Sequence, residues 1–254
     1  MTDGTDVTRP NISRIYDYVL GGHHNFEADR AAAEQIKQVF PSYPRWARMN
    51  RWFLQLAAAQ WVEQGFQHIL DLGSGMPAQD NMHEVAPDAL VLYTDRDPIT
   101  VAYAQNVLGA NERVRYIQAD MREPEPILAA ADEFFQGERR VAIGCIGLAY
   151  FLDDATLSHL METLHAWAAP GSVMAFSHAS GIARTEANRQ TFEAFKRNGA
   201  EMFLRDEATV RQMVAPWKVR ECKTLAAWLS MEDHIGETDR EGGDADMIGL
   251  ILER

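Results

Sequence analysis

The 254-residue sequence is poor in cysteine, poor in positive charge and free of any long apolar run. Two cysteines, Cys145 and Cys222, are too few for a disulfide framework or a multi-cysteine metal site. The longest mostly apolar stretch, residues 141–152, falls short of the about 20 residues that a membrane-spanning helix needs. Only 24 Lys and Arg stand against 37 Asp and Glu, a formal net charge of −13 with a calculated pI near 5.0. That balance disfavours nucleic acid, whose affinity for proteins comes largely from Lys and Arg displacing counterions, and equally an anionic membrane surface. Metal-ligating patterns are missing too. His23 and His24 are adjacent, His83-Glu84 lacks the second histidine of H-E-x-x-H, and His159 and His165 lie off one helical face. The opening MTDGTDVTRP has neither a basic n-region nor an apolar h-region, so the expected compartment is a reducing cytoplasm. No internal repeat or low-complexity linker marks a domain break.

What is present is an ordinary globular mix, 46% hydrophobic and 24% charged, arranged as helices alternating with strands. Residues 26–40 and 44–61 carry apolar side chains at helical spacing. Arg45, Arg48 and Arg51 read as a solvated stripe on the second of these helices. Short apolar runs at 68–72, 89–94, 114–118, 141–147 and 172–177 read as strands. Helical patterns at 98–108, 127–135 and 155–168 separate the last four of them. Such alternation implies a mainly parallel sheet covered on both faces. Two further helices are expected at 186–198 and 206–214. Strands at 219–228 and 246–252, joined by the polar loop 236–243, would then form a closing hairpin.

The sharpest local signal is Asp71-Leu72-Gly73-Ser74-Gly75-Met76-Pro77-Ala78. Glycines after a buried strand let the backbone turn and approach a ligand, and Pro77 can open the next helix. Asp95, at the end of the next strand, is placed to accept from both hydroxyls of a ribose. Gly73-x-Gly75-x-x-Ala78 also satisfies the dinucleotide fingerprint, so a nicotinamide oxidoreductase is the rival. Two features oppose it. Asp71 would repel a pyrophosphate but attract an ammonium or sulfonium, and Pro77 removes an N–H from the phosphate-cradling turn. Asp120, after the third strand, can accept from an adenine amino group while Met121 packs on the ring. The cofactor so described is S-adenosylmethionine, with S-adenosylhomocysteine as product.

These motifs resemble those of the Rossmann-like class I S-adenosylmethionine-dependent methyltransferases. The run Arg9-Pro10-Asn11-Ile12-Ser13-Arg14-Ile15-Tyr16-Asp17-Tyr18-Val19-Leu20-Gly21-Gly22-His23-His24-Asn25-Phe26 is similar to the amino-terminal signature of an actinobacterial-type S-adenosyl methyltransferase family formerly described only as a domain of unknown function. Asp29-Arg30, Tyr93-Thr94-Asp95-Arg96-Asp97-Pro98, Pro170-Gly171-Ser172 and Ser177-His178 extend the likeness over nearly the whole chain. The resemblance implies an α/β fold with a seven-stranded sheet of order 3-2-1-4-5-7-6, strand 7 antiparallel. The pattern of the residues themselves leads us to expect a helical extension over 1–65, acting as a lid on a core of 66–254 that carries a helical insertion near 184–215. Ala149-Tyr150 replaces the family's usual Leu-His pair, and Met247-Ile248-Gly249-Leu250 replaces a glycine-rich ending.

The expected cofactor residues are Tyr16, Gly22, Asn25, Asp71, Gly73, Ser74, Gly75, Asp95, Arg96, Asp120, Met121 and Gly147. His178, at a strand end, is the candidate general base, because an unperturbed imidazole titrates near neutrality. Tyr150 is the candidate for orienting the acceptor. Cys145 reads as core. The expected activity is methyl transfer to oxygen, nitrogen or carbon of a small metabolite, with both helices of the insertion roofing the acceptor site. A non-catalytic adenosyl-ligand-binding protein is the other alternative. The sequence leaves the oligomeric state and the acceptor open.

Overall fold

The computed structural model describes residues 6–77, 81–180, 186–236 and 246–254. Its sheet has seven strands: β1 (His68–Asp71), β2 (Leu90–Asp95), β3 (Val114–Gln118), β4 (Ala142–Cys145), β5 (Val173–Ser180), β6 (Lys218–Thr224) and β7 (Asp246–Glu253). Their order is β3-β2-β1-β4-β5-β7-β6, with β7 antiparallel to both neighbours and the other pairs parallel. This is the expected order. Ten α-helices surround the sheet among the described residues: α1 (Ile12–Val19), α2 (Glu27–Val39), α3 (Tyr43–Glu63), α4 (Met82–Val85), α5 (Pro98–Leu108), α6 (Pro124–Phe134), α7 (Asp154–Trp167), α8 (Glu186–Arg197), α9 (Glu207–Met213) and α10 (Leu225–Trp228).

Both sheet faces are buried, and side chains alternate between two cores. Leu70, Leu72, Ile143 and Phe176 pack with α6, α7 and α9, whereas Ile69, Val91, Ala142 and Ala175 pack with α3, α4, α5 and α10. Asp71 has the parity of Ile69 and therefore sits on the α3 side. A third cluster joins α1, α2, α3 and α8 through Ile15, Ile36, Ala47 and Phe195.

The amino-terminal helices are fastened to the sheet by a buried cation. Arg14, 1% exposed, donates from Nε to Asp29 at 2.9 Å and from Nη1 to Asp97 at 3.3 Å. Asp97 in turn caps α5, accepting from the Thr100 N–H at 3.0 Å. Removing one partner of such a buried pair leaves an uncompensated charge, so this contact fixes where α1 lies.

Three local expectations change. Residues 225–228 leave the sheet and form α10, because the Thr224 hydroxyl caps them by accepting from the Ala227 N–H at 3.1 Å. Pro77 is not helical; the next helix begins at Met82. Only one helix of the insertion reaches the amino-terminal layer. Phe195 of α8 packs edge-on against Tyr43, whereas Val210 of α9 is buried in the α6–α7 core. Ala78, residues 184–185 and residues 237–243 lie outside the described residues. Among the described residues no helix is long and apolar enough to cross a membrane, and none of their His, Cys, Asp and Glu side chains group to hold a metal.

Candidate active site

The carboxyl ends of β1, β2 and β4 open into a cleft made of two adjoining cavities. The inner one, about 70 Å³, is lined by Tyr16, Asn50, Arg51, Asp71, Ser74, Gly75, Gly147 and Tyr150, among others. The outer one, about 310 Å³, is lined by Asp95, Arg96, Asp120, Met121 and Arg122, with Gly199 and Phe203 behind them. Ile12, Ser13, Gly73, Leu148 and Phe151 border both. The first two come from α1, so the amino-terminal helix roofs the junction.

Gly73 is required at that junction. Its φ is +54°, and a Cβ there would meet Leu148 Cδ1 at 2.7 Å and Met121 Cε at 3.0 Å. The turn is tied to β2: the Ser74 N–H donates to the Thr94 carbonyl at 2.7 Å, and the Ser74 hydroxyl donates to the Asp71 carbonyl at 3.0 Å. Ser74 thus shapes the turn while facing the inner cavity.

Asp71 is 4% exposed. Burial pushes its carboxyl up to about 7, with the Asp95 charge adding to the rise and Ser74 and Arg51 opposing it. A glycine on the neighbouring strand makes room for it, since a Cβ at Gly144 would meet Asp71 Oδ1 at 2.7 Å. Asp95, 3% exposed, is better supplied. Its carboxylate accepts from the Asp97 N–H at 2.8 Å, the Ser13 hydroxyl at 3.1 Å and the Gly75 N–H at 3.1 Å. Burial still raises it to about 6 against those bonds. Asp120 is held by Arg122, whose Nε lies 2.9 Å from both carboxylate oxygens. Burial raises Asp120, but the Arg122 bonds outweigh it and leave the carboxyl below its ordinary value.

Most of the expected residues come together here. Gly73, Asp95, Arg96, Asp120 and Met121 line the outer cavity, and Tyr16, Asp71, Gly73, Ser74, Gly75, Gly147 and Tyr150 the inner one. Tyr16 donates its hydroxyl to the Ala47 carbonyl at 2.7 Å, which pins α1 to α3. Three expected residues lie elsewhere. Gly22 lines neither cavity but borders an adjoining groove of about 800 Å³ that shares Ser13, Tyr16, Arg51, Ser74 and Gly75 with the inner one. Asn25 knots the turn beyond α1, donating to Asp17 at 2.8 Å and to the Gly22 carbonyl at 3.0 Å, and lines neither cavity.

His178 is the third. It is fully buried, with Nδ1 2.6 Å from the Ala179 carbonyl and Nε2 3.1 Å from Arg205 Nη1. A carbonyl only accepts and a guanidinium only donates, so the ring is the neutral Nδ1–H tautomer with both nitrogens engaged. Burial lowers it to about 4, the Ala179 bond opposing and the Arg205 charge adding. In this arrangement the imidazole has neither an opening to the cleft nor a free lone pair, and the expectation of a general base gives way to that of a strut.

Four side chains escaped the sequence reading. Arg51 brings a guanidinium to the inner cavity. Leu148 closes over Gly73. Asn50, 2% exposed, accepts from the Ser177 hydroxyl at 2.7 Å, and Ser177 accepts from the Gly147 N–H at 2.8 Å. Arg205 donates to the Leu152 carbonyl at 2.7 Å and to Asp154 at 2.8 Å, bracing the turn that carries Tyr150. In the sequence Arg51 shows only as one member of the arginine stripe on α3, and the others have no local signal.

The sheet order, its antiparallel last strand and the acids at three successive strand ends around one cleft define a Rossmann-like methyltransferase. Within that class the chain belongs to the S-adenosyl methyltransferase family, whose model matches residues 1–224. It is an S-adenosylmethionine-dependent methyltransferase. A Thermobifida fusca protein proposed to be a methyltransferase is 27% identical, with a TM-score of 0.88 over 99% of this chain and 97% of its own. A DUF574-family protein from Streptomyces avermitilis is also 27% identical, with a TM-score of 0.85 over 98% of this chain and 99% of its own. Magnesium protoporphyrin IX methyltransferase from Synechocystis, solved with S-adenosylhomocysteine, shares the fold at 13% identity and a TM-score of 0.52, covering 94% of this chain and 92% of its own. No curated protein matches the sequence at a significant level.

Proposed function

We propose that the protein methylates oxygen, nitrogen or carbon of a small-molecule metabolite, and that the two cavities divide the cofactor between them. Asp71 carries this reading. A carboxylate held at about 7 by burial, with one guanidinium nearby, is short of positive charge, and a cation supplies it. Asp71 would take the cofactor's ammonium and Arg51 its carboxylate. Asp95 would take the ribose hydroxyls in exchange for the Ser13 hydroxyl, and Asp120 the adenine amino group with Met121 on the ring. Gly73, Gly75 and Gly147 let the backbone come close, and Ile12, Ser13 and Tyr16 form the lid.

The turn fits a dinucleotide less well. The Gly75 N–H is already given to Asp95, and the first helix after the turn among the described residues begins only at Met82, so the described part of the turn offers little to a pyrophosphate. Bound S-adenosylmethionine supplies a methyl on a cationic sulfur that leaves as a neutral thioether; the protein supplies alignment and a dry enclosure. The size of the inner cavity, its roof and the net charge of −13 favour a small acceptor.

Calorimetry with S-adenosylhomocysteine and NAD tests the cofactor assignment: the first binds and the second does not. Incubation of the enzyme with a trideuteromethyl donor and a metabolite extract should then yield labelled small molecules. Binding of NAD in place of S-adenosylhomocysteine would restore the oxidoreductase reading. Binding of S-adenosylhomocysteine without any labelled product favours the binding-protein alternative.

A further inference from the structure

The inner cavity holds two polar groups with nothing in the protein to bond to. Asn50 Oδ1 is consumed by the Ser177 hydroxyl, which fixes the amide so that Nδ2 is its open end. Neither that Nδ2 nor the Tyr150 hydroxyl has a hydrogen-bond partner among the described residues, although Asn50 is 2% and Tyr150 7% exposed. Both come within 3.6 Å of the position that a Cβ on Gly147 would occupy, so they converge on one point at the cavity wall. Both atoms are open to the cavity rather than sealed in packed protein. Two donors aimed at the same space describe a binding site for an acceptor atom.

We propose that the Asn50 amide and the Tyr150 hydroxyl hold one oxygen of an anionic acceptor whose charge is shared over at least two atoms, a carboxylate or an enolate. This rests on the methyltransferase reading and adds the substrate class to it. The held oxygen carries part of the charge, and the other end of the delocalised anion is left free to attack. Its lone pair forms the bond to the methyl carbon as the C–S pair returns to sulfur, so a cation and an anion become two neutral groups. No proton moves, which matches a cavity lined by no histidine and by no carboxylate except Asp71.

The donors are rigid as well as paired. The Tyr150 carbonyl accepts from the Phe203 N–H at 2.7 Å, and Arg205 braces the same turn through the Ala149 and Leu152 carbonyls. Such preorganised dipoles stabilise an oxyanion without rearranging. Tyr43, Leu54, Ile146 and Phe151 give the remaining walls an aromatic and aliphatic character, which favours a compact, flat acid.

The test is calorimetry on protein saturated with S-adenosylhomocysteine, titrated with benzoate, with 1,3-cyclohexanedione (an enolate near neutral pH) and with benzylamine. One or both anions should bind and benzylamine should not; the anion that binds tells carboxylate from enolate. Asn50→Leu and Tyr150→Phe should each weaken the anion by about tenfold or more while S-adenosylhomocysteine affinity holds. Asn50→Asp keeps an acceptor for the Ser177 hydroxyl but replaces the donating amide nitrogen with a carboxylate oxygen, so it should abolish anion binding even where the leucine variant misfolds. The proposal is overturned if neither anion binds or if the variants bind the anion as the wild type does. It is also overturned if they lose S-adenosylhomocysteine instead, because the pair would then hold the cofactor's own carboxylate. Failure of the wild type to bind S-adenosylhomocysteine is a separate result and defeats the methyltransferase reading.

Discussion

The two ends of the cleft treat their polar groups in opposite ways. At the outer end Asp95 accepts from three protein donors and Asp120 is gripped by Arg122. At the inner end Asp71 is raised to about 7 by burial, and Asn50 Nδ2 and the Tyr150 hydroxyl have no partner among the described residues. A ligand entering the outer end exchanges existing bonds for new ones, a nearly balanced trade. A ligand entering the inner end meets donors that no protein group occupies and a carboxyl that burial disfavours in its charged form, and gains more. Affinity should therefore concentrate at the inner end, with shape governing the outer one.

The largest effect should come from the junction that both ends share. Gly73→Val forces a side chain onto Leu148 at a φ of +54°. It should reduce S-adenosylhomocysteine affinity by about a hundredfold or more and lower the melting temperature. Gly75→Ala, at the same turn, should cost the protein itself less. Its φ is +71° but nothing lies within 4 Å of the added Cβ, so only backbone strain of about 1–2 kcal/mol is expected.

Asp71→Asn comes next, and its two readouts should move in opposite directions. Burial pushes this carboxyl up to about 7 in the folded chain, from an ordinary value of 3.8. A raised pKa means the folded state holds the proton longer, so its stabilising contribution is complete below about pH 4 and lost as pH rises through 7. The asparagine variant should gain melting temperature relative to the wild type at pH 8 compared with pH 5. The ammonium of the ligand needs the ionised form, so wild-type affinity for S-adenosylhomocysteine should climb with pH up to 7, by as much as about tenfold per unit. The variant should bind weakly at every pH, with no slope. A flat wild-type profile would place the ammonium elsewhere.

The sequence made local features legible and distant partnerships invisible. Strand 114–118 and helix 98–108 were readable to the residue, because Pro98 opens that helix, Asp97 caps it and Gly109 ends it. Asp71, Asp95 and Asp120 were readable because each stands at or just beyond a strand end. Asn50 was not, since its meaning depends on Ser177, 127 residues away. His178 was misread for the same reason: a strand-end histidine looks available until Arg205, 27 residues on, takes its second nitrogen. Residues 225–228 continued an apolar run, and the capping threonine that turned them helical competed with that pattern unnoticed.

The smallest effect should come from Asp120→Asn, and it decides whether the contrast between the ends is real. Its carboxylate is 26% exposed and its partner Arg122 stands two residues away at 53% exposure. Such a pair is well solvated, so breaking it should change stability by no more than about 0.5 kcal/mol. The asparagine still offers a carbonyl oxygen to an adenine amino group, and the loss of S-adenosylhomocysteine affinity should be about threefold, within about 1 kcal/mol. Raising the salt concentration should weaken the Asp120–Arg122 attraction while hardly touching buried Asp71, so the wild type and the Asp120→Asn variant should converge at high ionic strength. A loss at Asp120 equal to that at Asp71, and insensitive to salt, would mean that the outer acid binds as strongly as the inner one. Arg122 would then have to swing away on binding and expose a charge that the structure shows already paired.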